Sequence, residues 1–391
     1  MRLAAAMARL GTETAFDVLA RATRLKESGR DVINLGIGQP DFPTPPNIVE
    51  AAVKALRDGH HGYTPANGIR PLREAVAEDM WKRRGVTVDP DRIVIVPGGK
   101  VTMFMAIAMF GEPGAEILYP DPGFPIYRSL IEWSGATPIP IALHEAKGYA
   151  FSAEEVLAQI TPRTRLLIVN SPANPTGGVV PKAELDRLVE GLLDYPEVVV
   201  LSDEIYARMC YDGVPHASLT AYPELDDRLI LLDGWSKTYA MTGWRLGWGV
   251  WPKALVEHAV RLAVNVHSCV NAAAQWAGIE ALRGPQDAVE AMVRAFDERR
   301  RVIVEELNAI PGFRCPMPGG AFYAFPNITG TGLSSRELQD RLLEEAGVAV
   351  VSGTSFGIFG EGYLRFSYAA STEAIREACA RIRRWLERTT G

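Results

Sequence analysis

Between residues 15 and 28 the apolar positions Phe16, Leu19, Ala20 and Leu25 recur on a helical period with charges between them. Gly29 follows as a stop, so the pattern predicts a helix over Ala15–Ser28. The short run Val32–Leu35 then enters GIGQPDFPTPP, whose glycines and prolines predict an ordered but irregular crossing segment at a domain junction. Beyond it, helical periods alternate with short, continuously apolar runs. Helices are predicted at Pro46–Arg57, Ile69–Arg84, Lys100–Phe110, Pro125–Ser134, Ala153–Gln159, Lys182–Leu193 and Lys253–Leu262. Strands are predicted at Arg92–Val96, Glu116–Tyr119, Thr137–Ile141, Leu166–Val169, Val198–Leu201, Leu229–Leu232 and Arg245–Val250. Uninterrupted apolar strands separated by helices imply an α/β fold with a mostly parallel sheet sandwiched by helices. After Gly284 the pattern changes to a long charged helix, Asp287–Leu307, strands at Gly320–Phe325, Val348–Val351 and Tyr363–Tyr368, a helix at Ser335–Ala346 and a last helix to Trp385. The expected organisation is therefore a large domain over 46–284 and a smaller α+β domain over 285–391, to which an N-terminal arm over 1–45 contributes.

Composition narrows the classes. With 47% hydrophobic and 23% charged residues the chain has ordinary globular usage. No uncharged apolar stretch reaches the ~20 residues that span a bilayer, and the apolar run in Met1–Leu10 is shorter than an export-signal core. The four cysteines are widely spaced and form no C-x-x-C pair, so a reducing, cytoplasmic setting is expected. A balance of 41 basic against 47 acidic residues speaks against a nucleic-acid partner. The six histidines show no ligand spacing, so no metal site is expected; the adjacent pair His60-His61 reads as a solvated turn. The charge clusters Glu298–Arg301 and Arg381–Arg388 read as exposed helix faces.

In open α/β sheets ligands lie off the carboxyl ends of the strands, and four predicted strand ends carry unusual polar groups. Pro97-Gly98-Gly99-Lys100 opens a helix with bare glycine amides, which suits a phosphate; the plain alternative is a tight turn. Asn174, in NSPANPTGG, has an amide to offer a ligand oxygen, unless the loop's asparagines serve only their own backbone. Asp203 leaves a carboxylate at the mouth of a buried strand, an expensive position unless it meets a cation, with Tyr206 three residues on; the alternative is a helix cap. Of only eight lysines, Lys237 is flanked by Trp, Ser, Thr and Tyr and follows a predicted buried strand, where desolvation would make a nucleophilic amine; the commoner use of a lone semi-buried lysine is as a salt-bridge partner. Together these groups ask for an anion at Gly98-Gly99, Ser236 and Arg245, a basic ring nitrogen at Asp203 and a carbonyl at Lys237. Pyridoxal 5'-phosphate supplies all three.

The segments NLGIGQPDFPTP, GYTPANGIRPLREA, VPGGK, NSPANPTGG, SDEIY, SKTYAMTGWRLGW, GGAFY and LRFSYA, in this order from about residue 34 to 370, resemble the class I/II aminotransferases of fold type I. The resemblance implies that 46–284 is the cofactor domain. It implies Lys237 as the lysine that condenses with the cofactor aldehyde and then serves as the base of the proton transfer, and Asp203 as the partner of the pyridinium. Asn174 and Tyr206 would bond the phenolic oxygen, while Ser236, Arg245 and the Gly99-Lys100 turn would hold the phosphate and Phe124 would stack on the ring. Arg365 matches the arginine that grips the substrate α-carboxylate, against the alternative of a strand-edge surface arginine, and Gly38 matches the backbone closing over the substrate. Tyr63 matches a tyrosine lent to the phosphate of a neighbouring subunit, so a homodimer is implied.

The activity implied is transfer of an amino group between an L-amino acid and a 2-oxo acid such as 2-oxoglutarate or pyruvate, by a ping-pong route through a pyridoxamine form. Lys100 stands where one subgroup reads acidic side chains, yet Ala15 and Phe16 replace small hydroxyl residues that help there, Phe124 replaces a common Trp, and no second arginine occurs in Asn265–Gln275. Phe16, Tyr63 and the Phe322-Tyr323 pair suit an aromatic or aliphatic side chain equally well. Two further readings remain open: a C–S lyase on the same scaffold, and a non-catalytic cofactor-sensing domain. The latter needs a DNA-binding module, and the segment ahead of the first core strand is roughly half the size of one.

Overall fold

A computed structural model describes residues 1–390. The chain lays down a two-residue strand, β1 (Ile33–Asn34), then seven longer ones: β2 (Ile93–Val96), β3 (Glu116–Asp121), β4 (Thr137–Ala142), β5 (Thr164–Asn170), β6 (Val199–Asp203), β7 (Leu229–Gly234) and β8 (Gly247–Val250). Four short strands complete the set: β9 (Tyr323–Ala324), β10 (Val348–Ala349), β11 (Val351–Ser352) and β12 (Leu364–Ser367). The seven long strands form one sheet in the order β2-β8-β7-β6-β5-β3-β4, parallel throughout except that β8 runs antiparallel to both its neighbours. Residues of β2, β3, β6 and β8 are buried on both faces, which explains their unbroken apolar runs: helices cover either side and no alternation is needed.

The helices Pro46–Arg57, Lys100–Phe110 and Pro125–Ser134 match their predicted bounds, and the helix at Ala15–Ser28 is found one residue earlier, at Thr14–Glu27. A helix over Ala272–Arg283 was not anticipated. Its sequence, AAAQWAGIEALR, is buried over most of its circumference and so lacks the amphipathic stripe that announces a surface helix. It packs where Gly278 lets Trp235 approach, the indole Nε1 donating to the Gly278 carbonyl at 3.1 Å.

The C-terminal region is less regular than its pattern suggests. The expected strand Gly320–Phe325 shrinks to β9 because Ala321 takes a left-handed φ of +58° and the Gly320 N–H donates instead to Gly177 O at 2.9 Å. The helix predicted over Ser335–Ala346 becomes an α-helix over Ser335–Arg341 and one wide π turn over Leu342–Ala346. β1 pairs in parallel with β10, and the Ser367 N–H donates to Leu35 O at 2.7 Å, so the N-terminal segment is stitched into the sheets of the C-terminal region. The reading of Glu298–Arg301 as an exposed face needs correction. Arg300 is fully buried, its guanidinium 4.6 Å from the Tyr211 ring centre and bonded to Asp212 and the Pro318 carbonyl. No described helix is long and apolar enough to cross a membrane.

Candidate active site

Register lines up the carboxyl ends of the central strands: Asn170 on β5 faces Asp203 on β6, and Asp203 faces Leu232 on β7. Beyond these ends lies a cavity of about 450 Å³. Lys237, Asp203, Tyr206, Asn174, Ser236, Arg245, Arg365, Gly38, Gly99, Lys100 and Phe124 all line it, drawn from segments far apart in sequence. Tyr63 does not; its side chain stands at the surface, 94% exposed.

Lys237 follows β7 in the turn Gly234-Trp235-Ser236, whose fully buried Trp235 anchors it. Its Nζ donates to the Gly38 carbonyl at 2.5 Å and, among the described residues, pairs with no carboxylate. Burial pushes its pKa down to about 8; the Arg365, Arg245 and Lys100 charges act in the same direction, while Glu13 opposes them. An amine so placed is a nucleophile and a base near neutrality.

Asp203 ends β6, buried, with Oδ2 accepting from Tyr127 Oη at 2.6 Å and Oδ1 from the Ile205 N–H at 3.2 Å. Burial pushes its carboxyl up to about 6, against the two hydrogen bonds, and among the described residues it has no cationic partner. The Ile205 bond is cap-like, but the Tyr127 bond aims the carboxylate into the cavity. The next residue, Glu204, behaves in the opposite way: burial raises it, yet His216 at 2.9 Å, Arg84 at 3.1 Å and Ser218 outweigh that and hold it at about 2. This buried ion cluster braces the strand end from behind.

Arg365 on β12 is 2% exposed, not a surface arginine. Its Nη1 donates to Asn174 Oδ1 at 2.9 Å and its Nη2 to Gly36 O at 2.5 Å, with ring centres of Tyr323 and Phe356 each 4.7 Å from the guanidinium carbon. Among the described residues its Nε has no partner, and no carboxylate neutralises the group. A planar fork held only by neutral oxygens is prepared for an incoming carboxylate. The two asparagines divide their work: Asn170 serves the backbone, bonding Asp203 O at 3.0 Å and the Asn174 N–H at 3.0 Å, while the Asn174 side chain turns to the arginine. Tyr206 shares a 2.8 Å hydroxyl contact with Tyr323, and burial raises both phenols.

Opposite these groups is a cradle with no room for side chains. A Cβ on Gly98, whose φ is +91°, would collide with the Arg245 guanidinium, and one on Gly247 with the Gly99 amide. Arg245 itself sits at φ +53°, a strained setting for a non-glycine residue, with Nη1 tied to Thr242 O at 2.8 Å. Gly99 stands at the cap of the helix Lys100–Phe110, so backbone donors, Ser236 and a guanidinium converge where an anion is favoured. This cradle, the Asp203 carboxyl and the Lys237 amine, which among the described residues meet no cation and no carboxylate respectively, fit pyridoxal phosphate group for group: phosphate, ring nitrogen and aldehyde.

Several lining residues escaped the sequence reading. Tyr127 lies one helical turn after Phe124 in DPGFPIY, and its spacing was a usable signal; the two rings meet edge to face at 5.7 Å. Glu13 pairs with Lys100, Oε2 to Nζ at 3.0 Å, across 87 positions of sequence, and no local signal marks it. Phe16 lines the cavity as expected, whereas Ala15 turns into the core and takes no part.

A family model described as aminotransferase class I and II matches residues 30–382. An aspartate aminotransferase of Pyrococcus horikoshii is 40% identical over 373 residues, covering 95% of this chain and 94% of its own. An aromatic-amino-acid aminotransferase of Thermococcus litoralis is also 40% identical, over 91% of this chain and 92% of its own. The crystal structure of the aspartate aminotransferase from Rhizobium meliloti superposes with a TM-score of 0.95 at 34% identity, covering 99% of both chains.

Proposed function

The chain belongs to the class I and II aminotransferases, and from that membership we propose that it moves an amino group between an L-amino acid and a 2-oxo acid such as 2-oxoglutarate or pyruvate, by a ping-pong mechanism on pyridoxal 5'-phosphate. The observation that carries this reading is one cavity holding an amine at about 8 and, among the described residues, a buried carboxyl without a cation and a buried guanidinium without an anion: Lys237, Asp203 and Arg365. The bound cofactor supplies an aldehyde for amine exchange and a ring that accepts electrons from the substrate Cα.

The protein's own groups do the rest. The Gly99 and Lys100 amides, Ser236 and Arg245 would hold the phosphate in the glycine cradle. Asp203 would keep a proton on the ring nitrogen, its Oδ2 fixed by Tyr127. Asn174 and Tyr206 would bond the phenolic oxygen, and Phe124 would stack on the ring. Arg365 would grip the α-carboxylate and so set the Cα–H toward the Lys237 amine, a base near neutrality that could take and return that proton. In this reading 46–284 is the cofactor domain, while 1–45 and 285–391 form the smaller one that carries Arg365. The exposed Tyr63 supports a homodimer in which it reaches the partner subunit's phosphate site.

The test is direct. Holoenzyme given single L-amino acids with a 2-oxo acid should form the corresponding new amino acid, and Lys237→Ala should form none. Undiminished transfer by that variant would remove Lys237 from the role. Release of product without any 2-oxo acid would turn the reading toward the C–S lyase.

A further inference from the structure

Six charged residues line the cavity: Glu13, Lys100, Asp203, Lys237, Arg245 and Arg365. Transamination, the reading on which the present inference rests, uses four of them, for the phosphate, the ring nitrogen, the aldehyde and the α-carboxylate. Glu13 and Lys100 are left over, and they satisfy each other at 3.0 Å. Lys100 also stands 5.2 Å from the centre of the Phe124 ring. The remaining lining near this pair is uncharged: Phe16, Ile37 and Met103 are apolar, and Gln39 adds one neutral polar side chain.

Glu13 has an ordinary structural alternative, since it occupies the cap position of the helix Thr14–Glu27, where acidic groups commonly bond the first amides. Its side chain makes no such bond. It turns into the cavity instead, and its charge is felt at Lys237 and Tyr323.

We infer that Glu13 determines specificity by occupying Lys100, so that the side-chain end of the pocket presents a neutral ion pair among uncharged, mostly apolar groups and favours substrates with no second carboxylate. A distal carboxylate approaching Lys100 must displace Glu13 or sit beside a like charge, and either is unfavourable. The preferred donors are then L-amino acids with uncharged, apolar side chains, and the preferred acceptors are monocarboxylic 2-oxo acids such as pyruvate. Lys100 alone would have pointed to the opposite class.

The inference is tested on the holoenzyme with non-reacting probes, succinate for a dicarboxylate and 3-phenylpropionate for an apolar monocarboxylate, by calorimetry. Glu13→Gln should tighten succinate about tenfold by freeing one charge-assisted contact, and change 3-phenylpropionate by less than about twofold. Adding Lys100→Met to Glu13→Gln should abolish the gain. In parallel, kcat/KM for L-aspartate relative to L-leucine or L-phenylalanine should rise in Glu13→Gln by a similar factor. Unchanged or weaker succinate binding in Glu13→Gln, or wild-type preference for succinate over 3-phenylpropionate, overturns the inference. If succinate tightens as stated yet no form of the enzyme transfers an amino group, the charge filter stands and the transamination reading falls.

Discussion

In the cofactor-free protein, Lys237 should react with a small aldehyde near neutral pH. Burial lowers it from the ordinary 10.5 to about 8, with the nearby Arg365 and Arg245 charges adding to the effect. That difference corresponds to ~3 kcal/mol against the ammonium form. At neutral pH roughly a tenth of Lys237 is then free amine, compared with about three in ten thousand for an unperturbed lysine. The assay is brief reductive methylation with formaldehyde and cyanoborohydride across a pH series, followed by digestion and mass-spectrometric counting of methylated lysine at each position. Lys54 and Lys182, with side chains 74% and 70% exposed, serve as standards within the same sample. Lys237 should reach half-maximal labelling near pH 8. Arg365→Gln should raise that midpoint, yet leave it below the ordinary value, because burial is the larger cause. A Lys237 curve superimposed on those of Lys54 and Lys182 would refute the claim that desolvation activates this amine.

Other outcomes depend on the same geometry. Asp203→Ala should slow transamination by about 10²–10⁴-fold, as for a lost charge partner in an active site, and a full-speed variant would remove it from the chemistry. Arg365→Lys, which loses the planar fork, should raise KM for every amino donor by a similar factor; an effect confined to one donor would make Arg365 a side-chain reader. Tyr63→Phe should weaken cofactor retention in equilibrium dialysis although Tyr63 lies outside its own chain's cavity, and unchanged retention would end its proposed role across a dimer. His216 is lowered by burial but raised more by Glu204, to about 9 from 6.5. Its folded-state value is raised, so the stability it contributes is complete below pH 6.5 and is lost as pH rises through about 9. The difference in melting temperature between wild type and His216→Asn should therefore narrow over that interval, and a difference independent of pH would contradict a charged His216–Glu204 pair.

Local order along the chain encodes the layers of the fold and the side of the sheet on which chemistry can occur. Continuous apolar runs between helical periods define a helix-covered sheet, because the two backbone geometries repeat on different periods. Polar residues directly after those runs define the site, because parallel strands all deliver their carboxyl ends to one side. Gly98-Gly99, Asn174, Asp203, Ser236 and Lys237 were legible for that reason. Which groups meet is another matter, settled only when the chain has folded back on itself. Tyr127 reaches Asp203 across 76 positions, Arg365 reaches Asn174 across 191, and Glu13 reaches Lys100 across 87. The same holds for Arg300, whose place in a run of charges resembles an exposed face until Tyr211 and Asp212 close over it. Periodicity reports only whether a residue faces inward. Its partner, and with it the pKa of Lys237 and the charge at the mouth of the pocket, is set by chain crossings that no local pattern records.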